Sequence, residues 1–260
     1  MLPALTRRTL GFVALLFAFS AAARAQDAPV IAAAADLKFA LTEIVTAFTA
    51  QTGMQVETVF GSTGTFATQI REGAPFQMFM AADEIYVATL AAEGFTRDEG
   101  TLYARGRIVV MVPHGSVLAA DGSLESLKVA LVAGTIRHFA IANPDHAPYG
   151  ARAMQALQHA GLWEAILPKL VLGENVAQAA QFATSGDAQG GIIAYSLALS
   201  DQVSALGSYA LIPADWHAPL NQRMVLLKNA GPVAEAFYAY INSGPARDIM
   251  QKYGFALAGE

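Results

Sequence analysis

The chain has 260 residues, no cysteine, and 16 basic against 21 acidic residues, a formal charge of −5. Without cysteine, disulfide staples and thiolate metal sites are excluded, and the acidic balance argues against nucleic acid or an anionic membrane as a partner. With 54% hydrophobic and 14% charged residues, the length suits one large or two modest cores.

Arg7-Arg8 precedes an apolar run over residues 10–23, and Ala23-Arg24-Ala25 ends it with small residues at cleavage spacing. A charged start, a short apolar stretch and an A-x-A end describe a secretory signal peptide over residues 1–25 rather than a membrane span, which needs roughly 20 apolar residues. The chain left after cleavage has 13 basic and 21 acidic residues, a formal charge of −8. Both the general and the twin-arginine export routes suit Arg7-Arg8. The expected location is the periplasm.

Residues 29–35 read as a short buried strand with small residues at its end, and Asp36 as the cap of an amphipathic helix carrying Leu37, Leu41, Ile44 and Phe48. Residues 56–60 alternate as a strand and run into Gly61-Ser62-Thr63-Gly64, after which Phe66 and Ile70 recur at helical spacing. A strand, a Gly/Ser/Thr turn and a helix together aim free N–H groups and hydroxyls at one spot, an anion site in outline. Residues 77–82 form a third strand, with Asp83 capping the next helix. Residues 102–106 read as a connecting piece and 107–113 as a strongly apolar strand. Residues 124–127 suggest a short helix and 139–142 a strand, followed by a turn-rich loop over 143–150 and a helix over 151–160 that Gly161 stops. Strands at 169–172, 190–195 and 223–227, with helices after Val176, at 196–199, 232–241 and 246–252, complete the chain. Strand and helix alternate throughout, which predicts an α/β fold with mainly parallel sheets.

The chemistry of an enzyme is not visible. There is no G-x-S-x-G elbow, no lysine after the Gly-rich turn and no H-E-x-x-H. His114, His138, His146, His159 and His217 lack metal-ligand spacing, so no direct metal ligand is expected. Asp145-His146 reads as loop polars capping the next helix, and Met78 and Met80 as packing. What recurs instead is a strand ending in small or polar residues before a helix: Ala35-Asp36, Ser62-Thr63, Ala82-Asp83, Pro148-Tyr149-Gly150 and Glu174-Asn175-Val176. Such turns lie at the carboxyl edges of sheets, where open α/β folds bind ligands. None has a lysine or arginine at its tip, so a bound anion would be held by dipoles and N–H groups. A fully deprotonated oxyanion accepts every such donor, whereas a P–OH group needs an acceptor.

Across nearly the whole chain after residue 25, the sequence resembles the molybdate-binding subunits of ABC transporters. The resemblance is carried in one order by Ala33-Ala34-Ala35-Asp36-Leu37, Phe60-Gly61-Ser62-Thr63-Gly64, Gln69-Ile70-Arg71-Glu72-Gly73-Ala74-Pro75-Phe76, Met80-Ala81-Ala82-Asp83, Asn143-Pro144-Asp145-His146-Ala147-Pro148-Tyr149-Gly150, Gly190-Gly191-Ile192-Ile193-Ala194-Tyr195 and Lys252-Tyr253-Gly254-Phe255. It implies the type II periplasmic binding protein fold: two similar α/β lobes joined by crossover strands, with residues 27–107 plus 221–260 in one lobe and 108–220 in the other. It further implies a monomeric, cofactor-free receptor that captures molybdate, and tungstate beside it, between the lobes and delivers it to an inner-membrane ABC permease. Carried over by position, the anion is bound at Ala35 and Asp36, by Ser62 and Thr63 through N–H and hydroxyl, by the N–H groups of Ala82, Tyr149 and Val176, and by the Tyr195 hydroxyl. Many members have Ser, Thr or Asn where this chain has Ala35-Asp36. The expectation is that Asp36 gives its N–H while its carboxylate caps the helix and points away; the alternative is that the side chain reaches the ligand and changes specificity. A receptor for sulfate, thiosulfate or citrate, or an extracytoplasmic enzyme on the same scaffold, are the competing readings.

Overall fold

The computed structural model describes residues 28–257; the expected signal peptide lies outside the described residues. Eleven strands form two sheets among the described residues. They are β1 (Val30–Ala34), β2 (Glu57–Gly61), β3 (Met78–Ala81), β4 (Thr101–Gly106), β5 (Ile108–Pro113), β6 (Phe139–Ala142), β7 (Leu170–Gly173), β8 (Gly191–Ala194), β9 (Gly207–Leu211), β10 (Leu220–Leu226) and β11 (Ala256–Leu257). The six-stranded sheet runs β11-β4-β10-β3-β1-β2 and the five-stranded sheet β7-β6-β8-β5-β9.

The expectation of mainly parallel sheets is corrected. β1–β2, β1–β3, β6–β7 and β6–β8 pair in parallel. The pairs β3–β10, β4–β10, β4–β11, β5–β8 and β5–β9 are antiparallel. The cause is that the chain changes sheets twice. β4 ends at Gly106 and β5 begins at Ile108 in the other sheet, so Arg107 alone makes the first passage; residues 212–219 make the return. A strand arriving from the opposite sheet enters against its neighbours. Residues 102–106, expected as a connection, therefore belong to a full strand, β4, between β10 and β11.

Both faces of the larger sheet are covered, which is why β1 and β3 are apolar at every position. Ile31 and Ala33 of β1, with Met78 and Met80 of β3, face one core, where Phe48 meets Phe237 and Tyr240 edge-on at 5.1 and 5.3 Å. Ala32, Phe79 and Ala81 face the other, beside Phe66 and Phe76. Adjacent strand residues point to opposite faces, so each strand feeds both cores. Gly53 stops the first long helix, Lys38–Thr52, in the left-handed conformation that a residue without Cβ adopts freely.

Candidate functional site

The site forms where strands end. β1 runs into a short 3-10 turn, Ala35–Leu37; β2 into the helix Thr63–Arg71; β3 into the helix Glu84–Ala92; β6 into the helix Pro148–His159; and β7 into the helix Val176–Thr184. The first three belong to the larger sheet and the last two to the smaller. Their starts converge on one cavity lined by Ala34, Ala35, Asp36, Gly61, Ser62, Thr63, Ala82, Ala147, Pro148, Tyr149 and Val176. The cavity is about 10 Å³, room for about one water molecule as the site stands. No lysine or arginine is among the lining residues. A larger surface depression of about 740 Å³, bordered by Glu84, Arg97, Asp98, Arg223 and Lys228, shares no lining residue with it.

Thr63 and Val176 are the first residues of their helices and Tyr149 the second. Their N–H groups have no acceptor inside their own helix, and the positive helix ends stand behind them. Local sequence explains the geometry. Ser62 caps its helix by accepting from the Thr65 N–H at 3.2 Å, Asn175 caps by accepting from Ala177 and Gln178, and Pro148 needs no N–H partner in the first turn. Replacing Ser62 with alanine removes a cap and is expected to cost about 1 kcal/mol. In a chain of this size that lowers the unfolding temperature of the ligand-free protein by roughly 2–4 °C in a calorimetric scan.

Seven of the eight expected residues, Ala35, Asp36, Ser62, Thr63, Ala82, Tyr149 and Val176, line the cavity. Tyr195 does not. β8 ends at Ala194, so Tyr195 opens the next helix, and its half-buried ring packs against Gly254 and lies 5.9 Å from the Tyr209 ring. Ala82 reaches the cavity, but its N–H is given to the Thr63 hydroxyl at 3.0 Å. Thr63 therefore accepts with its oxygen and keeps its proton to donate.

The expected position of the Asp36 carboxylate is also corrected. It caps no helix: the turn Ala35–Leu37 carries no side-chain cap, and Asp36 lies inside it, 1% exposed. Asp36 Oδ2 instead accepts from the Tyr149 hydroxyl at 3.0 Å and from Gln222 Nε2 at 2.6 Å. Tyr103 donates to Gln222 Oε1 at 2.7 Å, which sets the amide so that its nitrogen faces Asp36. Burial pushes the Asp36 carboxyl up to about 6, although the Gln222 and Tyr149 hydrogen bonds pull the other way. Burial also holds both phenols, Tyr103 and Tyr149, well above the ordinary tyrosine value.

Sequence reasoning missed Gln222, Tyr103 and His146. Gln222 is wholly buried on β10, just ahead of the strand expected from Arg223. A polar side chain one step before an apolar run is the available signal. His146 joins the two sheets' elements: its Nδ1 lies 2.8 Å from Ser62 Oγ, its carbonyl accepts from the Gly64 N–H at 2.9 Å, and its Nε2 lies 3.7 Å from Glu174 Oε2. Thr65 donates to Glu174 Oε1 at 3.2 Å and accepts from Ser62 Oγ at 2.7 Å. The Ser62 proton is thus committed to Thr65, and His146 Nδ1–H is the donor to Ser62. Arg152, from the helix Pro148–His159, pairs with Asp83 at 2.5 Å across the same junction.

Comparison with known proteins agrees with this arrangement. A family model described as bacterial extracellular solute-binding protein matches residues 29–256. Molybdate-binding protein ModA of Azotobacter vinelandii is 37% identical over 240 residues, covering 91% of this chain and 93% of that protein. The ModA protein of Rhodobacter capsulatus is 35% identical over 249 residues, covering 94% and 95%. Among solved structures, an Azotobacter vinelandii periplasmic molybdate-binding protein superposes with a TM-score of 0.79 at 28% identity, covering 88% of this chain and 99% of that one.

Proposed function

The chain belongs to the bacterial extracellular solute-binding protein family, and from that premise we propose that it captures molybdate between its two sheets and delivers it to a membrane ABC permease. The observation that carries this reading is the convergence of five strand-end turns on one small cavity whose lining has no cationic side chain. Such a cage binds through N–H groups, hydroxyls and helix ends, and suits a compact oxyanion that accepts at every oxygen. Ala35, Asp36, Ser62, Thr63, Tyr149 and Val176 are the proposed contacts, with Ala82 acting through the Thr63 hydroxyl. Tungstate, of the same charge and tetrahedral shape, is the proposed second ligand. The protein works as a monomer outside the cytoplasm and makes or breaks no bond.

Residues 28–107 with 220–257 form one proposed lobe and 108–219 the other, closing about the anion by rotation at the two passages between sheets. The hydrogen bonds of His146 to Ser62 and Gly64 support this, because they join elements of different sheets at the rim of the cavity.

Thermal unfolding with molybdate, tungstate, sulfate, phosphate and citrate tests the reading. Molybdate and tungstate should raise the unfolding temperature with the logarithm of their concentration, as binding to the native state alone requires. Stabilisation by sulfate or citrate with none by molybdate would overturn the assignment, and turnover of any ligand would revive the enzyme reading.

A further inference from the structure

Granted the oxyanion reading, on which this rests, we infer that Asp36 takes up a proton when the anion binds and donates it through Oδ1, so that a neutral carboxylic acid is one donor of the cage. Three observations lead there. Asp36 lines the cavity, and its Oδ1 is buried without a hydrogen-bond partner. Its Oδ2 is already occupied by two donors, Tyr149 Oη and Gln222 Nε2. Tyr103 orients that amide and Tyr149 Oη already accepts from Gln222 Nε2 at 3.1 Å, so a proton on Oδ2 would have to displace one of these bonds. A proton on Asp36 therefore belongs on Oδ1, where it needs an acceptor, and an oxyanion oxygen is one.

Among the described residues, no cation relieves the carboxylate. Tyr103 from β4 and Tyr149 from the helix Pro148–His159 are the ionisable groups facing it, both neutral phenols, beside Gln222 from β10. From the helix Tyr195–Ala198, Ser196 binds only the Asp36 carbonyl, and the Tyr195 ring lies against Gly254. On the helix Lys38–Thr52, Lys38 sits over the Phe39 ring and Glu43 pairs with Lys252. The helix Val176–Thr184 has no ionisable side chain, and Glu57 of β2 is exposed at the far end of its strand. An ionised Asp36 would thus meet a dianion without compensation in a dry site. Burial already lifts this carboxyl to about 6, and a neighbouring dianion lifts it further. The step balances as carboxylate, anion and one solvent proton going to carboxylic acid hydrogen-bonded to the anion.

Calorimetric titration of the full protein with molybdate from pH 5.5 to 8.5, in phosphate-free buffers of different ionisation enthalpy, tests this. The dissociation constant should rise about tenfold per pH unit above roughly pH 6, with uptake approaching one proton per anion. In Asp36→Asn the amide oxygen can take the place of Oδ2 and its NH₂ that of Oδ1, supplying the donor permanently. That variant should lose the pH slope and the proton uptake, and bind molybdate about tenfold or more tightly than the parent at pH 8. Tight molybdate binding by the parent with no pH slope and no proton uptake overturns the inference and leaves the oxyanion reading intact. Hydrogen phosphate binding that Asp36→Asn abolishes would make Asp36 an acceptor and overturns it equally. Failure of molybdate to bind at any pH removes both readings. The proton-uptake measurement needs only the parent protein, so it decides even where the variant folds poorly.

Discussion

Replacing Gly64 with alanine is expected to weaken oxyanion capture about 10- to 100-fold without lowering the unfolding temperature of the ligand-free protein. A Cβ at Gly64 would lie 2.6 Å from the His146 carbonyl oxygen and 3.0 Å from its Cα. These are backbone atoms of the loop after β6, on the opposite side of the cavity, and they cannot swing aside as a side-chain tip does. Overpacking of this kind costs about 1–3 kcal/mol, and each 1.4 kcal/mol is about tenfold in affinity. On the proposed closure the cost falls on bringing the two sheets together, because the clash lies between elements of different sheets. Within its helix, alanine is favoured over glycine by up to about 1 kcal/mol. Titration calorimetry with molybdate, beside scanning calorimetry of the free protein, separates the two effects. Parental affinity in Gly64→Ala would mean that the bound state does not bring Gly64 and His146 this close.

The second expected result concerns pH and the ligand-free fold. The Asp36 carboxyl stands at about 6 in the native state against an ordinary value of 3.8, the shift being caused first by burial. Between those values the native protein keeps a proton that the unfolded chain has released. Raising the pH through this window therefore favours unfolding: the contribution is full below 3.8 and lost by about 6. The loss is on the order of 3 kcal/mol, and Asp36→Asn should be free of it. Glu84 and Asp121 act in the opposite direction. Asn221 holds the first below its ordinary value and the Ser123 hydroxyl the second, so each adds stability as the pH rises. The readout is thus the difference in urea midpoint between parent and variant from pH 4 to 8, which cancels those groups. The difference should open in the variant's favour between pH 4 and 6 and stay constant above. A constant difference across the whole range would remove Asp36 as the titrating group.

What the sequence discloses is local. Strand ends rich in small residues, with Ser62, Asp83 and Asn175 each placed to cap the next element, betray helix starts within a few residues of chain, and the cavity is assembled from such starts. What it conceals is set by partners far along the chain. Gln222 meets Asp36 across 186 residues, and no local pattern marks a glutamine on a strand as the holder of a buried acid. Asp36 reads as a cap because it precedes a helix, but the intervening turn Ala35–Leu37 delays the helix and rotates the carboxylate inward. Tyr195 enters the expected site by likeness of a motif, and a strand ending one residue earlier sends its ring elsewhere. Strand direction is equally hidden, since β4 and β10 take theirs from a passage between sheets that composition does not reveal.

Gly106 has a mechanical consequence. It is the last residue before the one-residue passage between sheets, and a side chain there would collide with Tyr149 Oη at 2.2 Å and Gln222 Nε2 at 2.9 Å. The phenol that grips Asp36 is therefore seated on the pivot itself. On the proposed closure, a torsional swing of the Gly106–Arg107 axis would drag that phenol across its seat, which would couple lobe rotation to the proton proposed on Asp36. Because the Tyr149 and Gln222 donors favour the ionised acid, an emptied cage with Asp36 ionised once more would grip that phenol harder, and a proton on Asp36 would slacken the joint on which the proposed lobes turn.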